Sequence, residues 1–222
     1  MAHSNPTSDR RGFLKTGTVG AAVAAGAVVL GSSGEAVAAS GAVPNIYPNF
    51  NAKAFKAIQD DENTHVTFLL NALGSAARPK PSFTGLAQAN VAAFGTVAKA
   101  LENTGCGAYL GAVPVLFNKQ YLAAAASIAL IEARHAGYLN VLFNLVSTVD
   151  VKGIERDFEQ PLTIAEVVAL AGPFITSLNN GPPLTFNATP SRANDIAILN
   201  FALALEYLEA EFYNINVPRF FA

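Results

Sequence analysis

The chain of 222 residues carries 14 lysines and arginines against 16 aspartates and glutamates, which gives a formal net charge of −2 at pH 7. No basic stretch lies beyond the first fifteen residues, so the electrostatic footprint of a nucleic-acid-binding protein is missing and we exclude nucleic acid as a partner. Hydrophobic residues make up 51% of the chain, enough for one domain of this size to fold without disulfides.

The N-terminus has the features of an export signal. Residues 8–15 read SDRRGFLK, and residues 16–30 are uncharged and rich in Gly, Ala and Val. This pattern resembles a twin-arginine signal, with a small-residue cleavage site just before Ser40. An uncleaved anchor is the alternative, but the apolar run of roughly 15 residues is shorter than the roughly 20 that a bilayer needs. We expect a cleaved signal peptide at 1–39, a mature domain at 40–222 without a stable membrane anchor, and a periplasmic or extracellular location.

Apolar residues at helical spacing predict four long helices in the mature domain. We expect them at about 51–73, 86–111, 121–146 and 196–213. Asn51 is expected to cap the first helix after an extended segment at 40–50, and Gly74 to end it. Pro114 and Asn118 mark a short turn, so the second and third helices should form an antiparallel hairpin.

A long connection rich in Gly and Pro is expected at 147–192. Within it, Thr163 and Glu166 predict a capping box for a short helix that ends near Leu178. Ser191 or Asn194 should cap the last helix. Strand patterns are weak throughout, so the sequence predicts an all-α class.

Two Glu-x-x-His pairs stand out. His65 and His135 follow the leader, and each has a glutamate three residues before it, Glu62 and Glu132. Residues three apart share a helix face, so each carboxylate and imidazole can point at one ion. A single pair of this kind would favour a solvated helix face, but two among the glutamates present would arise by chance about once in four hundred trials. Both pairs lie in apolar stretches, where buried charge needs a partner.

Glutamates of the other two helices complete the candidate set. Glu102 lies about 14 residues before the middle of the predicted hairpin turn and Glu132 about 16 after it, so both carboxylates should lie at nearly the same height. In the last helix Glu206 and Glu209 lie a turn apart on one face, whereas Glu211 should point to solvent.

A glutamate from each of two helices and a Glu-x-x-His pair from each of the other two make the donor set of carboxylate proteins that bind two iron or two manganese ions. Carboxylates can bridge two ions while each imidazole binds one, which leaves positions open for oxygen or peroxide. We therefore predict a di-metal centre with six ligands: Glu62, His65, Glu102, Glu132, His135 and Glu206.

Four segments closely resemble the ferritin-like family that includes plant desiccation-related proteins and many exported bacterial proteins. They are DENTHV at 61–66, LENTGCGAYLG at 101–111, IEARHA at 131–136 and LNFALALEYLEAEFY at 199–213. The resemblance covers nearly the whole mature chain and implies a ferritin-like four-helix bundle.

The order of these segments departs from the family. The segment at 199–213 normally forms the family's first helix, so the chain looks circularly permuted, and the connection at 147–192 would have to run the length of the bundle. The alternative is that the last helix packs into a neighbouring subunit of a homo-oligomer and completes its site by exchange.

The resemblance also assigns roles near the centre. In ferritins the first-helix ligand is followed seven residues later by a tyrosine beside the site, as Glu206 is by Tyr213, which favours Glu206 over Glu209 as the direct ligand. Glu209 remains a candidate ligand or supporting residue. Tyr213, and Tyr109 seven residues after Glu102, are candidate hydrogen-bond donors, although packing in the core would account for both equally well.

The small residues of the second helix are interpreted as packing features. Cys106, the single cysteine, can form no disulfide within the chain and is expected to be a small buried thiol. Gly105, Gly107 and Gly111 should permit close helix contact rather than bind phosphate, because no strand precedes them.

These features predict an exported protein whose two iron or manganese ions react with oxygen or peroxide, as an oxidase, a ferroxidase or a peroxide-consuming enzyme in stress protection. A second hypothesis, which the plant relatives suggest, is a non-catalytic structural or desiccation-protective protein. Iron storage in a hollow homo-oligomeric shell is a third.

Overall fold

The computed structural model describes residues 49–221, so the predicted signal peptide, its cleavage site and nearly all of the extended segment at 40–50 lie outside the described residues. Within this range five α-helices form: α1 (Phe50–Leu73), α2 (Val91–Ala112), α3 (Lys119–Leu142), α4 (Ile164–Ala171) and α5 (Arg192–Phe221). The strands β1 (Ser82–Phe83) and β2 (Ile175–Ser177) form a small antiparallel pair. The predicted all-α class is confirmed. Across residues 49–221, none of the helices combines the length and the apolar character that crossing a membrane requires.

The helix α1 lies between the capping residues Asn49 and Gly74. Gly74 has a φ of 53° and its N–H bonds to the Leu70 carbonyl, so the helix ends at the predicted glycine. The predicted cap at Asn51 is wrong. Asn49 occupies the cap position, and Asn51 is buried in the first turn, where it accepts a hydrogen bond of 2.8 Å from the Tyr138 hydroxyl.

The hairpin helices are shorter than expected. α2 begins at Val91 rather than near Leu86, because the Asn90 side chain accepts a 2.9 Å hydrogen bond from the Ala93 N–H and so caps the helix there. α3 ends at Leu142 rather than near residue 146.

The predicted capping box of α4 is confirmed, since Thr163 and Glu166 each accept from the other's backbone N–H. The helix ends at Ala171 instead of near Leu178, because a 3₁₀ turn that contains Pro173 leads directly into β2.

The last helix is longer than expected. The Ser191 hydroxyl accepts a 3.1 Å hydrogen bond from the Asn194 N–H, so Ser191, and not Asn194, is the cap. The helix then continues past Tyr213 to Phe221.

Two apolar clusters fill the bundle, one towards each end. The first contains Phe55, Phe94, Leu139 and Phe212, and the second contains Leu69, Ala112, Ile128 and Leu203. Along the chain, α1 and α2 therefore run from the first cluster to the second, while α3 and α5 run back.

The helices pack as two antiparallel pairs, α1 against α5 and α2 against α3. Because α1 ends and α2 begins at opposite ends, the segment 74–90 crosses the length of the bundle, and the segment 143–191 does the same between α3 and α5. The predicted length of the second crossing agrees with this arrangement, whereas the circular permutation itself remains a prediction.

Two glycines of α2 leave room for the segment 143–191 where it contacts the helix. A Cβ on Gly107 would lie 2.5 Å from Leu162 Cγ, and one on Gly111 would lie 2.3 Å from the Leu162 carbonyl oxygen. The Leu162 N–H also donates to the Gly107 carbonyl at 2.9 Å. These two glycines therefore allow close contact with the connecting segment. The sequence had led us to expect close contact with another helix instead.

Candidate metal centre

A layer of polar side chains separates the two apolar clusters. Each of the four long helices contributes to it at mid-length: Glu62 and His65 from α1, Glu102 from α2, Glu132 and His135 from α3, and Glu206 from α5. The four carboxylates are at most 1% exposed and both imidazoles are 8% exposed. Apolar residues above and below the layer keep bulk water away from it.

The six side chains form two overlapping groups. The first, named here the His135 half, consists of Glu62, Glu102, Glu132 and His135. The second, the His65 half, consists of Glu62, His65, Glu132 and Glu206. Within each half, one donor atom from every residue lies within 4.8 Å of the others, which is the reach of a single bound cation. Glu62 and Glu132 belong to both halves.

Both imidazoles face the carboxylates with Nδ1. His65 Nδ1 lies 3.3 Å from Glu62 Oε2, 3.4 Å from Glu132 Oε1 and 3.3 Å from Glu206 Oε2. His135 Nδ1 lies 3.1 Å from Glu102 Oε2 and 3.2 Å from Glu62 Oε1. A single N–H cannot serve several carboxylates at once.

The acids are consequently under-satisfied. Glu62 Oε1, both oxygens of Glu132 and Glu206 Oε2 are buried and accept no hydrogen bond of adequate geometry among the described residues. Three of these four oxygens do lie 3.2–3.4 Å from an imidazole Nδ1, but each Nδ1 is shared between several carboxylates. Buried carboxylate oxygens of this kind are costly unless a cation or a donor balances them. The donor set therefore fits a metal ion.

The electrostatics of the layer favour added positive charge. Burial, followed by the charge of Glu102, raises the pKa of Glu62 to about 7, and burial and the charge of Glu62 raise the pKa of Glu132 well above its ordinary value. Burial alone would lower the pKa of His135, but the charge of Glu102 and its hydrogen bonds outweigh burial and raise that pKa to about 11. Mutual repulsion of buried carboxylates is what a divalent cation relieves.

Two tyrosines form hydrogen bonds with Glu102 and Glu206, the two glutamates that each belong to only one half of the site. The Tyr213 hydroxyl of α5 donates to Glu102 Oε1 of α2 at 2.5 Å, and the Tyr109 hydroxyl of α2 donates to Glu206 Oε1 of α5. Each tyrosine thus serves the glutamate of the opposite helix. Sequence spacing placed both tyrosines near the site but did not show that each would bond to the glutamate of the other helix.

Gly105 provides the space in which Glu132 lies. A Cβ built on Gly105 would come within 2.4 Å of Glu132 Oε2 and 3.2 Å of its Cδ. A side chain at this position of α2 would therefore displace the Glu132 carboxylate. From the sequence this glycine is interpreted as a packing feature, and its relation to Glu132 is visible only in the structure.

Asp61 is a residue of the site that the sequence analysis missed. Its Oδ2 lies 3.1 Å from His135 Nε2, the ring nitrogen that faces away from the carboxylates. The only signal available in the sequence was its position directly before Glu62, which by itself does not show that it reaches a histidine on another helix.

The candidate Glu209 lies outside both halves, as do Glu211 and Cys106. Glu209 is buried, and burial together with the charges of Glu132 and Glu62 raises its pKa well above the usual value. Glu211 points away and forms a 2.8 Å ion pair with Lys80. Cys106 is a buried thiol, as expected, and burial raises its pKa.

Comparison with models of protein families gives a match to the family described as a ferritin-like domain, over residues 27–145 and 194–220. The matched segments contain α1, α2, α3 and nearly all of α5, hence all six converging side chains. The unmatched residues between them contain α4 and β2. No curated protein and no solved structure matched the chain.

Proposed function

This chain belongs to the ferritin-like domain family, and from that premise we propose that its buried layer binds two metal ions, iron or manganese, that react with oxygen or peroxide. The observation that carries the proposal is the overlap of two four-donor groups within one buried layer. Three carboxylates and one imidazole in each group are hard and borderline donors, which suit iron and manganese.

The overlap also suggests what each ligand does. Glu62 and Glu132 belong to both halves, so we assign them as the carboxylates shared by the two ions. Glu102 and Glu206 belong to one half each, and we assign each of them to a single ion, alongside His135 and His65 respectively.

The surrounding residues prepare the layer for this role. Tyr213 and Tyr109 hold the two unshared carboxylates in place, and the apolar clusters on either side exclude water. When bound in their reduced state, the ions would supply electrons to oxygen or peroxide and would themselves be oxidised. The proposed activity is that of an oxidase, a ferroxidase or a peroxide-consuming enzyme in stress protection.

We also propose that the chain is exported by the twin-arginine route. This route is understood to carry folded proteins, which suits a centre that is loaded with metal before export. The support for it is the pattern of residues 8–15 and the small-residue site before Ser40.

Metal analysis of the full chain, recovered from the exported fraction, tests the proposal. The wild type should contain two ions per chain. Glu62→Gln and Glu132→Gln should lose both ions, because each removes a shared ligand, whereas Glu102→Gln and Glu206→Gln should lose one. Glu211→Gln is the control, since Glu211 lies outside the centre and pairs with Lys80. Equal metal content in Glu62→Gln and the wild type would contradict the proposal.

The redox part needs its own measurement. The metal-loaded protein should show an optical change on addition of oxygen or peroxide, and this change should be absent from Glu62→Gln. A fully loaded protein that shows no such change would favour the non-catalytic structural or desiccation-protective alternative.

A further inference from the structure

The two halves of the centre contain the same types of metal-binding side chain. Each consists of three carboxylates and one imidazole that presents Nδ1. Each unshared glutamate accepts a hydrogen bond from a buried tyrosine. Nothing in the composition of the donor groups therefore makes one half a stronger metal site than the other.

The halves differ behind the histidines. His135 Nε2 lies 3.1 Å from Asp61 Oδ2 of α1. The hydrogen bonds and ion pairs of His65 to described residues all run through Nδ1. Asp61 directly precedes Glu62, and the residue that directly precedes Glu132 is Ile131, whose side chain can accept no proton.

This difference bears on metal binding because an imidazole that binds an ion through Nδ1 must carry its proton on Nε2. A carboxylate at Nε2 accepts that proton, holds the ring in this tautomer and orientation, and makes the ligand nitrogen more basic. Asp61 supplies this for His135. The contacts of His65 to described residues leave its Nε2 without such an acceptor. The orientation and tautomer of its ring must therefore be fixed when its ion binds.

Resting on the proposed function, we propose that Asp61 is a positioning residue that makes the two metal sites unequal, so that the His135 half binds its ion more tightly and fills first. The side chain of Asp61 is 47% exposed, so it can be replaced without opening the core. Loss of a partner of this kind typically lowers metal affinity about 10–100-fold.

Anaerobic titration of the metal-free full chain with Mn²⁺, in which free Mn²⁺ is followed by electron paramagnetic resonance, tests this inference without any activity measurement. The wild type should bind two ions in two separate steps. Asp61→Asn should weaken the tighter step about 10–100-fold and bring the two steps together. Asp60→Asn removes the same charge one residue away, from an exposed side chain that pairs with Lys56, and should leave both steps unchanged.

Combining Asp61→Asn with a ligand variant shows which of the two sites Asp61 affects. In Glu206→Gln, which keeps the His135 half, addition of Asp61→Asn should weaken the remaining site. In Glu102→Gln, which keeps the His65 half, it should change nothing.

Two equal steps in the wild type, or equal effects of Asp61→Asn and Asp60→Asn, would overturn the inference while leaving a two-ion centre intact. A wild-type protein that binds no Mn²⁺, iron or other divalent ion would overturn both this inference and the proposed function.

Discussion

Gly105 and Glu132 show how a single residue on one helix can determine where a carboxylate on another lies. The carboxylate occupies the space that any side chain on Gly105 would need, with 2.4 Å between Oε2 and a built Cβ. Because Glu132 belongs to both halves of the centre, a small displacement of this one carboxylate affects both proposed ions.

We predict that Gly105→Ala weakens binding of both ions, by on the order of 10–100-fold as for other disturbances of ligand orientation. The physical reason is that the added methyl group displaces the Glu132 carboxylate towards its other neighbours. Titration of the metal-free protein with Mn²⁺ measures the effect, and unchanged affinity would show that Glu132 does not need this space.

Gly137→Ala is a matched control on α3. A Cβ there would meet Ser147 Cβ at 3.5 Å, an ordinary contact distance. Since alanine favours a helix interior over glycine by about 1 kcal/mol, this variant should be slightly more stable to denaturant and should bind metal as the wild type does.

At the scale of elements, α4 depends on its capping box because it is only eight residues long. The Thr163 hydroxyl accepts from the Glu166 N–H at 3.2 Å, and the Glu166 carboxylate accepts from the Thr163 N–H at 2.8 Å. Helices this short are marginal without caps and tertiary contacts.

Thr163→Ala should lower the free energy of unfolding by about 1 kcal/mol, the usual cost of losing an N-cap side chain. Urea denaturation measures this directly. Because α4 packs against α2 and contributes none of the residues of the two donor groups, metal stoichiometry should be unchanged. A variant that lost metal would show that the connection supports the centre.

Glu166 should also contribute to stability in acid. Hydrogen bonds from Lys152 and from the Thr163 backbone lower its pKa from 4.5 to about 2. A carboxyl whose pKa is lower in the folded state contributes stability that is fully present above the unfolded value and is lost as pH falls towards the folded value. The loss should therefore occur between about pH 5 and pH 2.

Comparison of unfolding curves for wild type and Glu166→Gln over this range tests the point. The stability difference between them should shrink as pH falls, and a difference that stays constant from pH 7 to pH 2 would contradict it. Because the Glu166 side chain is 37% exposed, solvent screening keeps the effect small.

At the scale of the whole molecule, the acidic layer divides the core into two apolar clusters. The bundle therefore gains hydrophobic stabilisation on both sides of a layer whose carboxylates repel one another. Bound cations would remove this repulsion, so metal loading and folding should be strongly linked.

We predict that metal loading stabilises the whole bundle. At a free metal concentration of about 100 times Kd, each site adds about 2.7 kcal/mol, and two sites should raise Tm by on the order of 10–20 °C for a domain of this size. Calorimetry with and without chelator measures the shift. In the Glu62→Gln, Glu132→Gln double variant the shift should disappear, and its persistence there would place the metal elsewhere.

Much of the buried Glu/His layer could be inferred from sequence because its main features are local. Residues three apart share a helix face, so Glu62 with His65 and Glu132 with His135 were recognisable as pairs before any packing was known. Turn position gave the common height of Glu102 and Glu132, and the caps at Gly74 and Thr163 depend on backbone groups within a few residues.

By itself the sequence determined the all-α class, the four long helices and the side chains that point into the bundle, since helical periodicity is a property of neighbouring residues. The tertiary structure alone decided that Tyr109 and Tyr213 serve glutamates of opposite helices, that Gly105 lies across from Glu132, and that Asp61 reaches His135 rather than solvent. Such contacts depend on how far each helix is rotated and shifted against the next, and these displacements result from packing of the whole core, which no local pattern encodes.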